Sequence, residues 1–123
     1  MKKLLYTILL VGLFSCEKAA PEQKIVFTMD AVNNSTATGT NFPVTVTLTS
    51  AMPSQGIKIE ATTVNQGTGA TLPQGAPYST TSAKNTIVIS GLPQQQWCNV
   101  TIKVTSNNTS TNTDSQSFTV VYK

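Results

Sequence analysis

The chain has 123 residues, one tryptophan, no histidine, and eight basic against five acidic side chains, for a formal net charge of +3. Every base is a lysine, so the guanidinium forks that grip phosphate and the imidazoles of acid/base and zinc chemistry are missing. Histidine catalysis, most zinc sites and arginine-led nucleotide recognition are excluded on that ground, and neither a cofactor nor a nucleic-acid partner is expected.

The first element is a leader. Lys2 and Lys3 precede an apolar run from Leu4 to Phe14, which ends at the small Ser15 and at Cys16, the parts of an export signal in their usual order. A membrane-spanning helix needs about 20 apolar residues, and this run is about half that. Leu13, Phe14, Ser15 and Cys16 resemble the lipobox of bacterial lipoproteins (Leu, a variable residue, a small residue, Cys) at every place. The resemblance covers the leader alone. It implies cleavage before Cys16, a diacylglyceryl group on its sulfur, and usually an acylated amino terminus. At about 0.8 kcal/mol per buried CH₂, one acyl chain holds weakly and two or three hold firmly. Residues 1–15 are therefore expected to be a signal peptide, and the membrane is the expected partner, through lipid on Cys16, in the bacterial cell envelope and at its outer membrane. The competing reading is an ordinary secretory leader in which Cys16 is incidental. Loss of Lys2 and Lys3 would lower the net charge from +3 to +1, which removes any charge-based case for nucleic acid or anionic lipid.

Residues 16–24 follow as a lipidated end and tether. Glu17 to Lys24 is charged, contains Pro21 and has no apolar period; extended, it reaches about 25 to 29 Å. Glu17 loosely resembles the acidic export signals of some surface lipoproteins, but Lys18 follows at once, so surface-facing and periplasm-facing positions both stay open.

Residues 25–123 read as one domain. Thr, Val, Ile, Asn and Ser alternate in runs broken by Gly, Pro and Asn, the mark of antiparallel strands. A weak first strand holds Ile25, Val26 and Phe27. Val44 to Thr49 then gives one aliphatic and one threonine face, hence one side buried and one wet. The same period recurs at Ile57, Ile59 and Ala61, at Ile87 and Ile89, at Val100, Ile102 and Val104, and at Phe118, Val120 and Tyr122, with a seventh strand near Ala70 to Leu72. No stretch carries a helical apolar stripe. About seven strands over about 100 residues predict an all-β, single antiparallel β-sandwich.

Residues 91–104 resemble the passage between the fifth and sixth strands of fibronectin type III domains, and Ser117 to Tyr122 resemble the last strand. Leu92 and Pro93 match in type, and Val100, Ile102 and Val104 match the alternation, but Cys98 stands where the family has an inward Tyr. The resemblance implies a fibronectin type III-like or, more broadly, immunoglobulin-like sandwich.

Strand phase separates two neighbours. Cys98 shares its parity with Val100, Ile102 and Val104 and should point inward, a small core residue, with a reactive thiol as the lesser alternative because no His or Lys adjoins it. Trp97 shares its parity with Asn99, Thr101 and Lys103 and should point outward. It is either a half-buried edge residue closing the end of the sandwich or a binding platform. In an immunoglobulin-like order its outward neighbours would be Thr62 and Val64 on one side and Val121 and Lys123 on the other, a mixture of indole, hydroxyl and ammonium that suits a sugar face. Alternating strand directions put two turns beside the tether and send Gln94 to Trp97 and the C-terminus to the far pole. Tyr78 is expected to be a loop aromatic capping the core.

The remaining clusters are plain. Asn107 to Asp114 reads as a solvated hairpin loop with too few carboxylates for calcium. Glu17, Glu22, Asp30, Glu60 and Asp114 are scattered, and no nucleophile elbow, phosphate loop or metal signature is present. Gly67-Thr68-Gly69 is too short for a phosphate cradle. The expectation is a non-enzymatic, membrane-anchored interaction or structural lipoprotein, with an envelope protein or polysaccharide as partner; a glycan-binding accessory role using Trp97 and a surface-coat or adhesive spacer are the alternatives.

Overall fold

Alternating burial organises the chain from Ile25 onward: Ile25 and Phe27 are buried while Val26 between them is 47% exposed, so even the weak first run has one inward face. A computed structural model describes residues 22–123; the leader, Cys16 and most of the tether lie outside them. The strands are β1 (Phe27–Met29), β2 (Ser35–Ala37), β3 (Phe42–Leu48), β4 (Ile57–Asn65), β5 (Thr71–Leu72), β6 (Tyr78–Thr80), β7 (Lys84–Ile89), β8 (Trp97–Ser106) and β9 (Thr113–Tyr122). The described residues contain no helix, and so none long and apolar enough to cross a membrane.

The architecture is all-β, in two sheets that share one core. One sheet runs β1-β3-β7, and the other runs β2-β9-β8-β4-β5, with β6 also on β4. Val44, Val46 and Leu48 of β3 face inward, as do Ile57 and Ile59 of β4, Cys98, Val100, Ile102 and Val104 of β8, and Phe118 and Val120 of β9. Phe42 of the smaller sheet meets Phe118 of the larger with ring centroids 5.8 Å apart, a tilted aromatic pair that joins the layers. The Gln116 side chain on β9 also donates to the carbonyl of Phe27 on β1.

Two short strands were not expected, and one changes the pairing. The chain leaves the smaller sheet after Asp30, whose Oδ1 accepts the Thr45 N–H at 2.8 Å. It crosses over at Asn34, a non-glycine residue with φ of 64°, a conformation Asn tolerates better than most residues. The Asn34 N–H donates to Thr119 Oγ1 at 2.8 Å, and β2 then runs parallel to β9. The expectation of a purely antiparallel fold is corrected here: the first run continues in its own direction onto the second sheet, so it meets β9 in parallel. The other unexpected strand, β6, carries Tyr78, which pairs in register with Ile59 and is 50% exposed. Tyr78 thus lies on a strand and not in a loop: it shares the inward face of its buried register partner Ile59, at the edge of the sheet, where it stays largely open.

The end of the expected tether is bound to the domain. Glu22 Oε1 accepts from Ser106 Oγ at 2.8 Å, and Oε2 accepts from Asn112 Nδ2 at 2.7 Å. Asn112 Oδ1 in turn accepts the Ile25 N–H at 2.9 Å, and the Ala51 N–H donates to Gln23 Oε1 at 2.6 Å. The β8–β9 turn is thus a clamp on the entering chain as well as a solvated loop. It also grips the β3–β4 loop, since Asn108 Oδ1 accepts the Gln55 N–H and its Nδ2 donates to Ser54 Oγ. Within that loop Gly56 is required: φ is +83°, and a Cβ would lie 2.5 Å from the Thr80 carbonyl oxygen.

Candidate functional site

At the pole away from the entering chain, two turns face each other. Asn65, the last residue of β4, is 5% exposed and faces inward. Its Oδ1 accepts the N–H groups of Gly67 and Thr68 at 2.9 and 3.3 Å, the side-chain-closed turn that Asn favours. Its Nδ2 donates to Gln96 Oε1 on the opposite turn. The Gln66 N–H donates to the Trp97 carbonyl at 2.9 Å. Asn65 therefore positions both walls without needing to reach outside the protein.

Between the walls lies an open cleft of about 550 Å³, lined by Asn65, Gln66, Gly67, Thr68, Gln95, Gln96 and Trp97. Its volume falls within the range of about 300 to 1,000 Å³ usual for ligand sites. No lining residue is titratable. The side-chain hydrogen-bonding groups are four amides, one hydroxyl and the indole N–H, which together donate and accept, and the one large apolar surface is the Trp97 ring, the residue being 39% exposed. Gln95 lies on the floor of the turn with φ of 60°, held by its N–H, which donates to the Tyr122 carbonyl at 2.6 Å.

The two phases expected for β8 hold: Cys98 is fully buried and Trp97 is half-exposed. Burial pushes the Cys98 thiol above its ordinary pKa, so it is a protonated core group at neutral pH. Two of the expected neighbours of Trp97 stand beside it, Val121 opposite and Val64 on the diagonal, while Thr62 does not. Val121 is its direct register partner but is only 4% exposed, because the unforeseen β2 sets Thr36 on its other side. Thr62 pairs with Thr101 and Val64 with Asn99, placing Thr62 well down the strand and Val64 one diagonal step from Trp97. Lys123 is anchored by its N–H to the Ala37 carbonyl at 3.3 Å. None of these four lines the cleft.

No family model, curated protein or solved structure matches this chain. The cleft therefore stands on its own geometry. Sequence reasoning placed Gln94 to Trp97 at this pole but missed Asn65, Gln66 and Thr68. The signal was there: Asn65-Gln66-Gly67-Thr68-Gly69 ends a strand that must turn beside the start of β8, and an Asn whose side chain can accept the N–H two residues on, with two glycines after it, marks a turn.

Proposed function

We propose that this chain is a lipid-anchored, non-enzymatic recognition lipoprotein of the bacterial cell envelope, at the outer membrane, and that its single domain is an immunoglobulin-like sandwich presenting the Trp97 cleft. The observation that carries the reading is position. The chain enters the domain at the pole held by Glu22 and Asn112, and the cleft opens at the other pole, away from the end that a lipid tether would hold. The sandwich assignment draws on the first run dividing between two sheets and on β8 and β9 forming the middle of the larger one. For the absence of catalysis, the support is where the acids sit. Glu22 closes one pole, Asp30 accepts a backbone N–H at the crossover, and Glu60 Oε1 lies 3.2 Å from Lys58 Nζ on an outer face.

The test uses the native chain. Full-length protein expressed in a lipoprotein-exporting bacterium takes up labelled fatty acid and fractionates with membranes, and Cys16→Ser abolishes both; unlabelled wild-type protein overturns the anchor. In vesicles, Trp97 emission is open to acrylamide, and an envelope extract of polysaccharide and protein protects it saturably. Unchanged quenching at saturating extract overturns the cleft as the recognition site. A protein-docking role is the second reading, favoured by β7, which has no strand on its outer edge among the described residues and where Val88 is 53% exposed.

A further inference from the structure

We infer that the cleft takes an uncharged glycan and that Gln95 is a specificity-determining residue for it; this rests on the cleft being the recognition site. The ligand class follows from what the lining offers and withholds. An anionic polysaccharide would bring carboxylates or sulfates that demand cations or clustered backbone N–H groups, and no lysine lines the cleft. A cationic peptide would demand carboxylates, and none lines it either. A bound peptide strand would also look for an open sheet edge to continue, whereas both walls here are turns. A neutral sugar matches each feature in turn: its hydroxyls donate and accept at once, as primary amides do, and the apolar C–H face of a pyranose fits flat on an indole.

Gln95 is singled out by its backbone. A glutamine with φ of 60° occupies a region that a side chain makes costly and that glycine enters freely. Such strain survives where surrounding structure enforces it, and it gathers at ligand-binding positions. Here the bond from the Gln95 N–H to the Tyr122 carbonyl enforces it, and the exposed side chain has no hydrogen-bond partner among the described residues. Glycine would relieve the backbone at no cost to the fold; what it would lose is the amide in the cleft. Gln96 differs, because its Oε1 is already engaged by Asn65.

The experiment follows Trp97 emission of full-length protein in detergent micelles, titrated with cellohexaose, mannohexaose, maltohexaose and hexagalacturonate. We expect at least one neutral hexasaccharide to give a saturable shift at least tenfold tighter than hexagalacturonate. Gln95→Gly and Gln95→Ala should each weaken that binding about tenfold, the loss of roughly one hydrogen bond, while Gln95→Gly melts no lower than wild type. Gln94→Ala, altered at an exposed position outside the cleft lining, should bind within twofold of wild type. Equal or tighter binding of hexagalacturonate overturns the neutral class. Unchanged affinity in both Gln95 variants overturns that residue's role. Protection by envelope extract with no response to any neutral hexasaccharide overturns the glycan assignment while leaving the cleft a recognition site; failure of both removes the cleft reading itself.

Discussion

The two poles of this domain are built from the same side chains and spend them differently. Near the entering chain, Asn107, Asn108, Asn112, Gln23 and Ser106 turn their polar groups on Glu22, on Ser54 and on the backbone. At the far pole, Gln66 and Gln95 face an open cleft, while Asn65, one end of Gln96 and the Thr68 hydroxyl, which accepts the Ala70 N–H, are engaged within the protein. Internal satisfaction holds a pole together, and free amides leave it able to bind. An Asn- and Gln-rich composition is thus not one property; its meaning is set by whether each amide has a partner at home.

Breaking the near pole should cost most. Asn112→Ala removes bonds to Glu22, Gln23 and Ile25 at once, and we expect a loss of about 3 to 4 kcal/mol, summing roughly two ordinary and one charge-assisted hydrogen bond. Urea unfolding would measure it; a loss under about 0.5 kcal/mol would mean that the clamp is ornamental and the contrast between poles is not real. Between the poles lies Thr63, fully buried on β4, whose Oγ1 has no hydrogen-bond partner among the described residues. Thr63→Val should stabilise the fold by about 1 kcal/mol by removing a desolvated hydroxyl, and a thermal melt that falls instead would show the hydroxyl to be satisfied. The smallest effect belongs to the far pole. Gln66→Ala should leave unfolding free energy within about 0.5 kcal/mol of wild type, as for a surface side chain without structural partners, and a drop like that of Asn112→Ala would erase the distinction.

What the sequence revealed was what period and parity can carry. The alternation through Val44, Val46 and Leu48, and through Cys98, Val100, Ile102 and Val104, is long enough to fix which face is inside, and opposite strand directions then place the poles. Strands of three residues escape this logic. Ser35-Thr36-Ala37 and Tyr78-Ser79-Thr80 have no period to detect, and they exist because β9 and β4 offer free edges to them. Missing β2 had a direct consequence, since Val121 has the outward parity of an exposed residue and is covered only because a further strand lies beside it. Missing the Glu22 clamp had a different cause: a carboxylate and an amide separated by 90 positions leave no local trace. The cleft was half-visible, because Trp97 announces itself by size and uniqueness whereas Asn65 and Gln66 look like ordinary turn residues until the facing turn is known.

The division of the first run into β1 and β2 also bears on mechanics. Where the entering chain is fixed to a membrane and the opposite pole is held by whatever occupies it, tension runs along the strands. β1 lies antiparallel to β3 and β2 parallel to β9, and ladder hydrogen bonds stand across the strand direction. A pull on Ile25 therefore loads the β1–β3 rungs together in shear instead of peeling them singly, and the turn at Asn34 hands the remaining load to the second sheet. The domain is strung so that a pull between its two poles meets both layers at once.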